Sequence, residues 1–360
     1  METYKIPMVP GPVSVPDETL HVYLTNFGSG DLEPEFLSLY NQVEAKLQTI
    51  FATKSKVVIQ SGEAMVVLWG VLKSCLKPGD RVLAIATGLF GHAIARIATT
   101  VGADVQTVVL DDNQTLADFD AVEEAIQQFR PKMITVVHCE TPSGTLNPLN
   151  QLGALKKAYD VPLLFVDAVA SVGGTPVLTD QWHIDLCLTG SQKCLAMPPS
   201  LGILTVNDQA WHIINEVDYK GYDALKPFQT AQADHFFPYT PNWHATAALN
   251  VAADRILNEG LDACYSRHHS VAAYCRDQLV DIGYELFPAD EAITSPTVTA
   301  IKVPSHIPWP TFDRLLRDQG LVVGGNYGPL AQKVFRLGHM GTQADMGLMK
   351  QALEVLATVI

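Results

Sequence analysis

The sequence predicts an α/β fold: a large domain with a mostly parallel seven-stranded sheet between helices, then a smaller α+β C-terminal domain. Three observations predict it. Seven short aliphatic, β-branched runs recur between Val57 and Val206, separated by helical patterns. Strands alternating with helices build a largely parallel sheet covered on both faces. Polar residues (Ser61, Thr87, Glu140, Asp167 and Thr189) stand at or just past the ends of these runs, where ligands of such sheets bind. From about Ala245 long helical patterns with few strands take over, which marks a second, smaller unit.

In chain order, Pro10-Gly11-Pro12 and Pro16 make the first segment an extended arm, assigned to residues 1–20. Glu35 to Phe51 has helical apolar spacing through Phe36, Leu39, Tyr40, Val43 and Leu47. The seven runs are Val57–Ile59, Arg81–Ile85, Val105–Val109, Met133–Val137, Leu163–Val166, Leu186–Leu188 and Gly202–Val206. Ala64 to Cys75 is a helix between the first two. Residues 21–250 form the large domain and 251–360 the small one. In the latter, Asp262 to Ile282 reads as a long helix, Val298 to Val303 as a β-branched run, Phe312 to Gln319 as a helix, Leu321–Val323 as a strand and Met346 to Val359 as a terminal helix.

Composition excludes several classes of function. The chain has 360 residues, enough for two domains, with 48% hydrophobic and 17% charged residues, which fits a compact enzyme-like globule. Its formal net charge of -14 disfavours nucleic acid and anionic membranes as partners. No run is long and apolar enough to span a bilayer, and the start lacks a signal-peptide core. The six cysteines form no Cys-x-x-Cys pair and sit in apolar runs, as buried free thiols do. A cytoplasmic protein is expected. His268-His269 has no third ligand at a recognisable spacing, so it reads as a helix-surface pair and no metal is expected.

The chemistry gathers around Lys193. The run Leu186–Leu188 ends in Thr189-Gly190-Ser191-Gln192-Lys193, and Pro198-Pro199 and Gly202 follow. Upstream, Val161 to Val166 is a buried-looking strand closed by Asp167. A lysine there is either a surface cation or a functional amine. With Asp167 it makes a pair suited to a pyridoxyl ring, the carboxylate on the ring nitrogen and the amine in a Schiff base with the aldehyde. Asp167 is alternatively a helix N-cap. Ser61-Gly62-Glu63 joins a strand to a helix, a ready-made anion site, in which Glu63 is either a first-turn residue matched to the helix dipole or a charge that repels phosphate. Arg336 sits in the apolar run Val334 to Gly338 and needs an anionic partner, either a substrate carboxylate or a structural ion pair.

An aspartate closing an apolar strand, then Thr-Gly-Ser-Gln-Lys before Pro-Pro, resembles the class V aminotransferases of the pyridoxal-phosphate fold-type I superfamily. From Pro10-Gly-Pro-Val13 to Arg336-Leu-Gly-His-Met-Gly341 the chain is similar, within that class, to the pyridoxamine–pyruvate branch, with alanine–glyoxylate and serine–pyruvate aminotransferases next. The resemblance implies that Lys193 and Asp167 are catalytic and that Phe90 stacks on the pyridine. It also implies that Val169 packs beneath the ring, although core packing explains Val169 equally well. Thr141 either bonds the ring hydroxyl or merely belongs to the Pro142-Ser143-Gly144 turn.

Glu63 matches the branch that uses unphosphorylated pyridoxamine and pyridoxal as substrates, where phosphate-dependent relatives carry histidine. Phe237 stands where those relatives have a tyrosine reaching a neighbouring subunit's phosphate site. Ser61, Gln192 and Thr240 remain of the polar types seen at phosphate contacts, and Ser61 replaces a histidine of the pyridoxamine branch. Tyr327 replaces a second arginine of the pyridoxamine branch. The expected function is therefore transamination of pyridoxamine and pyruvate to pyridoxal and L-alanine by a homodimer. The alternative is a pyridoxal 5'-phosphate-dependent alanine/serine–glyoxylate (or pyruvate) aminotransferase. A cysteine desulfurase would need a reactive cysteine on a polar loop, which the sequence lacks, and retention of Asp167 and Lys193 argues against a non-catalytic protein.

Overall fold

A computed structural model describes residues 3–360. The seven apolar runs are the seven strands of the central sheet: β1 (Lys56–Ser61), β2 (Arg81–Ala86), β3 (Asp104–Val109), β4 (Met133–Val137), β5 (Leu163–Asp167), β6 (Leu186–Gly190) and β7 (Leu201–Val206). Their order across the sheet is β1-β7-β6-β5-β4-β2-β3. All neighbours are parallel except β7, which runs antiparallel to both β1 and β6. The interior strands are buried throughout except at Arg81, which is why β5 reads as an unbroken apolar run. At the edge, β3 alternates between half-buried and exposed.

Helix Ala64–Cys75 packs on β7 and helix Leu89–Thr100 on β2. Both start at the carboxyl end of a strand, one after β1 and the other after β2, so their N-termini face the same sheet edge. β7, being antiparallel, brings its first residues to that edge: Leu201 pairs with Ser61 and Gly202 with Gly190.

The C-terminal part has its own core around Phe312, Leu316, Phe335, Leu337, Met349 and Leu356. Its strands Val298–Lys302 and Val334–Gly338 pair antiparallel. Helix Leu261–Asp281 spans both cores, with Cys264 in the large one and Val271, Cys275 and Leu279 in the small one. The expected extended arm is partly a strand: Ile6–Met8 pairs in parallel with Leu321–Val323. The arm thus belongs to the small domain's packing before it crosses to the sheet edge. A short helix, Asp17–His21, follows it.

His268 corrects the expectation of a surface pair. It is fully buried, because the long helix lies between the two cores and buries a face along its length. Its Nδ1 bonds the Cys264 carbonyl at 2.7 Å, and Nε2 accepts the Gly341 N–H at 3.0 Å. Burial holds the ring near a pKa of about 4, so it is neutral. Among the described residues no cluster of metal-ligating side chains occurs. The six cysteines are free and buried. Among the described residues no helix is long and apolar enough to cross a membrane.

At Gly202 the helix Ala64–Cys75 lies close against the sheet. A Cβ there falls 2.2 Å from Val67 Cγ2. Gly202→Ala is therefore expected to destabilise the protein by about 1–3 kcal/mol through overpacking. A lower thermal midpoint by calorimetry checks it, and an unchanged midpoint refutes the close packing.

Candidate active site

Strand β5 delivers Asp167 and strand β6 leads into Lys193, two neighbouring parallel strands ending at one edge. Between them lies a cavity of about 120 Å³ lined by Glu63, Phe90, Thr141, Asp167, Val169, Gln192 and Lys193, with Val137, Cys139, Ala170 and Leu188 supplying apolar wall. Residues far apart in the chain thus meet around one cavity.

Asp167 is buried, and its Oδ1 accepts the Val169 N–H at 3.0 Å. Burial raises its carboxyl to about 6; the Val169 N–H opposes this, the Glu63 carboxylate adds to it and the Lys193 charge opposes it. Asp167 is still ionised at neutral pH.

Lys193 Nζ donates to the Pro10 carbonyl of the arm. Gly11, at φ +92°, is shaped to this approach, since a Cβ there would lie 2.6 Å from Lys193 Cδ. Desolvation, with the nearby Arg336 charge adding to it, lowers the lysine to about 8. A neutral amine is thereby accessible near physiological pH.

At the β1–helix turn, Glu63 caps helix Ala64–Cys75. Its Oε2 accepts the Met65 N–H at 2.8 Å and its Oε1 accepts Gln192 Nε2 at 2.5 Å. Gln192 Oε1 is buried with no partner among the described residues. Ser61 and Gly62 lie beside the cavity rather than in its wall. The Ser61 N–H donates to the Tyr239 hydroxyl at 3.2 Å, and the Gly62 N–H to the Ser200 carbonyl at 2.9 Å. Tyr239 is a neighbour of the site, through Ser61, that sequence reasoning missed; its position two residues after Phe237 was the available signal.

Phe237 itself is not brought to the cavity. It is buried in its own chain against Tyr40 (5.3 Å between ring centroids), Phe36 (5.5 Å) and Phe228 (6.4 Å). The segment folds inward at this residue because an aromatic core accepts it, so within one chain it is a packing residue. Thr240 is exposed and also outside the cavity.

Arg336 is buried on strand Val334–Gly338, and both Nε, at 3.1 Å, and Nη2 donate to the Gly325 carbonyl. The half-exposed ring of Tyr327 covers the guanidinium, 5.2 Å from Cζ to the ring centroid. Among the described residues neither Lys193 nor Arg336 is in an ion pair with a carboxylate: both lean on carbonyl oxygens. Of the other strand-end residues, Thr87 accepts Asn147 Nδ2 at 2.7 Å and Thr189 bonds the Ala168 carbonyl at 3.4 Å. Their role is to hold loops.

A desolvated lysine, a buried carboxylate one strand away and apolar walls give the cavity an amine, an anionic group and room for a flat ring. The chain belongs to the class V aminotransferases: the family model "Aminotransferase class-V" matches residues 12–333. It is 36% identical over 360 residues to an uncharacterized aminotransferase of Methanocaldococcus jannaschii, covering 99% of this chain and 91% of that protein. It is 31% identical to the pyridoxamine–pyruvate transaminase of Mesorhizobium japonicum, covering 88% of this chain and 81% of that one. The crystal structure of an alanine–glyoxylate aminotransferase from Nostoc sp. superposes with a TM-score of 0.95 at 27% identity, covering 100% of this chain and 96% of that one. The fold is that of fold-type I aminotransferases, and the protein is a transaminase.

The Lys193 environment sets a measurable pH dependence. Below its pKa the amine is protonated and unreactive, and above it the amine is neutral. Reaction of the ligand-free protein with an aldehyde is expected to rise with pH through a midpoint near 8. Arg336→Gln removes a positive neighbour, so the midpoint moves upward toward the ordinary lysine value. An unmoved midpoint in that variant contradicts the electrostatic coupling.

Proposed function

We propose that the protein catalyses amino transfer between pyridoxamine and pyruvate, giving pyridoxal and L-alanine. The observation that carries this reading is the occupation of the helix N-terminus by Glu63. In a phosphate cradle the backbone N–H groups and the helix dipole are left for the anion. Here Met65, Ser61 and Gly62 donate to Glu63, Tyr239 and Ser200 respectively. What this corner offers instead is acceptors: the Glu63 carboxylate and the orphaned Gln192 Oε1. A hydroxymethyl group can donate to acceptors, and a phosphate dianion cannot. Repulsion between Glu63 and one phosphate charge ~5 Å away, at an effective dielectric of about 20, is roughly 3 kcal/mol.

The remaining residues take roles in the same reading. Asp167 pairs with the protonated ring nitrogen, Phe90 and Val169 hold the two faces, and Thr141 meets the ring hydroxyl. A bound pyridoxyl ring supplies an electron sink for charge that develops at the neighbouring carbon. Lys193 Nζ, released from the Pro10 carbonyl, takes up and returns the proton that moves between the two carbons. Arg336 binds the carboxylate of the keto acid, and the carbonyl-only partners of its guanidinium support that assignment. Tyr327 covers this arginine in place of a second cation. Phe237 enters only through the packing of the segment that carries Tyr239.

We further place the working enzyme as a homodimer, for which exposed Leu24, Leu32 and Phe236 provide apolar surface; Thr240, exposed near them in sequence, is free to face the second copy. Buried free thiols suit a cytoplasmic enzyme.

The test is an assay of pyridoxamine plus pyruvate without phosphate esters, in wild type and in Glu63→His. Wild type is expected to form pyridoxal and alanine. The variant is expected to bind pyridoxal phosphate at least about tenfold more tightly. If wild type instead retains pyridoxal phosphate and aminates glyoxylate from alanine or serine, the phosphate-dependent alternative holds and Glu63 is only a cap.

A further inference from the structure

Glu140 is fully buried, and no lysine or arginine side chain bonds to it. Its Oε1 accepts the Gly91 N–H at 2.7 Å, and its Oε2 accepts the Phe90 N–H at 3.1 Å. These are the second and third amides of helix Leu89–Thr100, whose own N-cap, Gly88, has no side chain to offer. A carboxylate from the short strand Cys139–Glu140, distant in sequence, therefore does what an N-cap residue does elsewhere. The fit is close: a Cβ on Gly88 would lie 2.8 Å from Glu140 Cδ, and one on Gly91 would lie 3.4 Å from Oε1 and 2.9 Å from the Ile85 carbonyl. Burial, offset in part by the two N–H donors and reinforced by Asp167 and Asp112, leaves the carboxyl raised to about 7. So costly a group is retained where a neutral cap would serve a merely structural end.

The chain around Glu140 gives the reason. The residue after it, Thr141, lines the cavity, and so does Phe90, whose amide it holds. We infer that Glu140 is a positioning residue. It fixes the Phe90 ring relative to the Thr141 loop, so that the two grip a flat pyridoxyl ring at a set spacing. It touches neither the cavity nor the ligand and acts through Phe90. The inference rests on the pyridoxyl reading of the site and holds whether or not the ring carries a phosphate.

The test is spectroscopic binding of pyridoxal, and in parallel of pyridoxal phosphate, to wild type, Glu140→Gln, Phe90→Leu and the double variant. The amide of Glu140→Gln faces one N–H donor with another, so binding of the preferred compound should weaken about tenfold. Phe90→Leu should weaken it comparably, and the double variant should be no worse than Phe90→Leu alone. Wild-type binding in a folded Glu140→Gln, or multiplied losses in the double variant, would overturn the inference. Should Glu140→Gln not fold, Gly88→Ala displaces the carboxylate while leaving it charged, and the same loss of binding, absent in a Phe90→Leu background, is expected. Because binding rather than turnover is read, failure of the pyruvate assay leaves this result interpretable. Failure of both compounds to bind wild type would sink the pyridoxyl reading and this inference together.

Discussion

Two cations without a carboxylate partner govern this structure. The chain carries a formal charge of -14, yet at the sheet edge Lys193 rests on the Pro10 carbonyl and Arg336 on the Gly325 carbonyl. A carbonyl satisfies a donor without neutralising its charge, so each cation keeps its attraction for an anion. Their mutual repulsion, added to desolvation, is what brings the lysine down to about 8. The arm, the strand Val334–Gly338 and the β5–β6 edge must all be in place for this to hold, which ties the two domains to one chemical purpose.

The acidic groups are distributed with equal economy. Asp167 sits at the cavity wall and stays ionised. Glu63 is held by Met65 and Gln192 at the helix start, and Glu140 by Phe90 and Gly91 one helix further on. Each of these carboxylates accepts a backbone N–H within a loop or at a helix start, so part of the donor set that a strand–turn–helix fold exposes at its sheet edge is taken by the protein's own acidic groups.

Most of the fold was legible in the sequence because buried parallel strands have only one way to read, as unbroken aliphatic runs. Their polar ends, Ser61, Asp167 and Gly190, were harder to assign to the strands, since these residues combine the last sheet pairing with work at the site. Strand Ile6–Met8 is too short to show a period. The side chains whose partners lie far away were the least legible. His268 reads as surface because nothing local says that its helix runs between two cores. Phe237 reads as a site residue by position, but three aromatic rings from other segments draw it inward. Glu140 shows its role only when the bare N-terminus of helix Leu89–Thr100 is set beside it. Tyr239 likewise gains its meaning from the Ser61 amide.

The account stands on Lys193 being the amine that meets the pyridoxyl carbonyl. Incubation of the protein with pyridoxal, borohydride reduction and peptide mapping measures this directly. The account predicts a single pyridoxyl-lysine in the peptide containing Lys193, and no stable label in Lys193→Ala although that variant remains folded. A label on another lysine, or equal labelling of the variant, would contradict it.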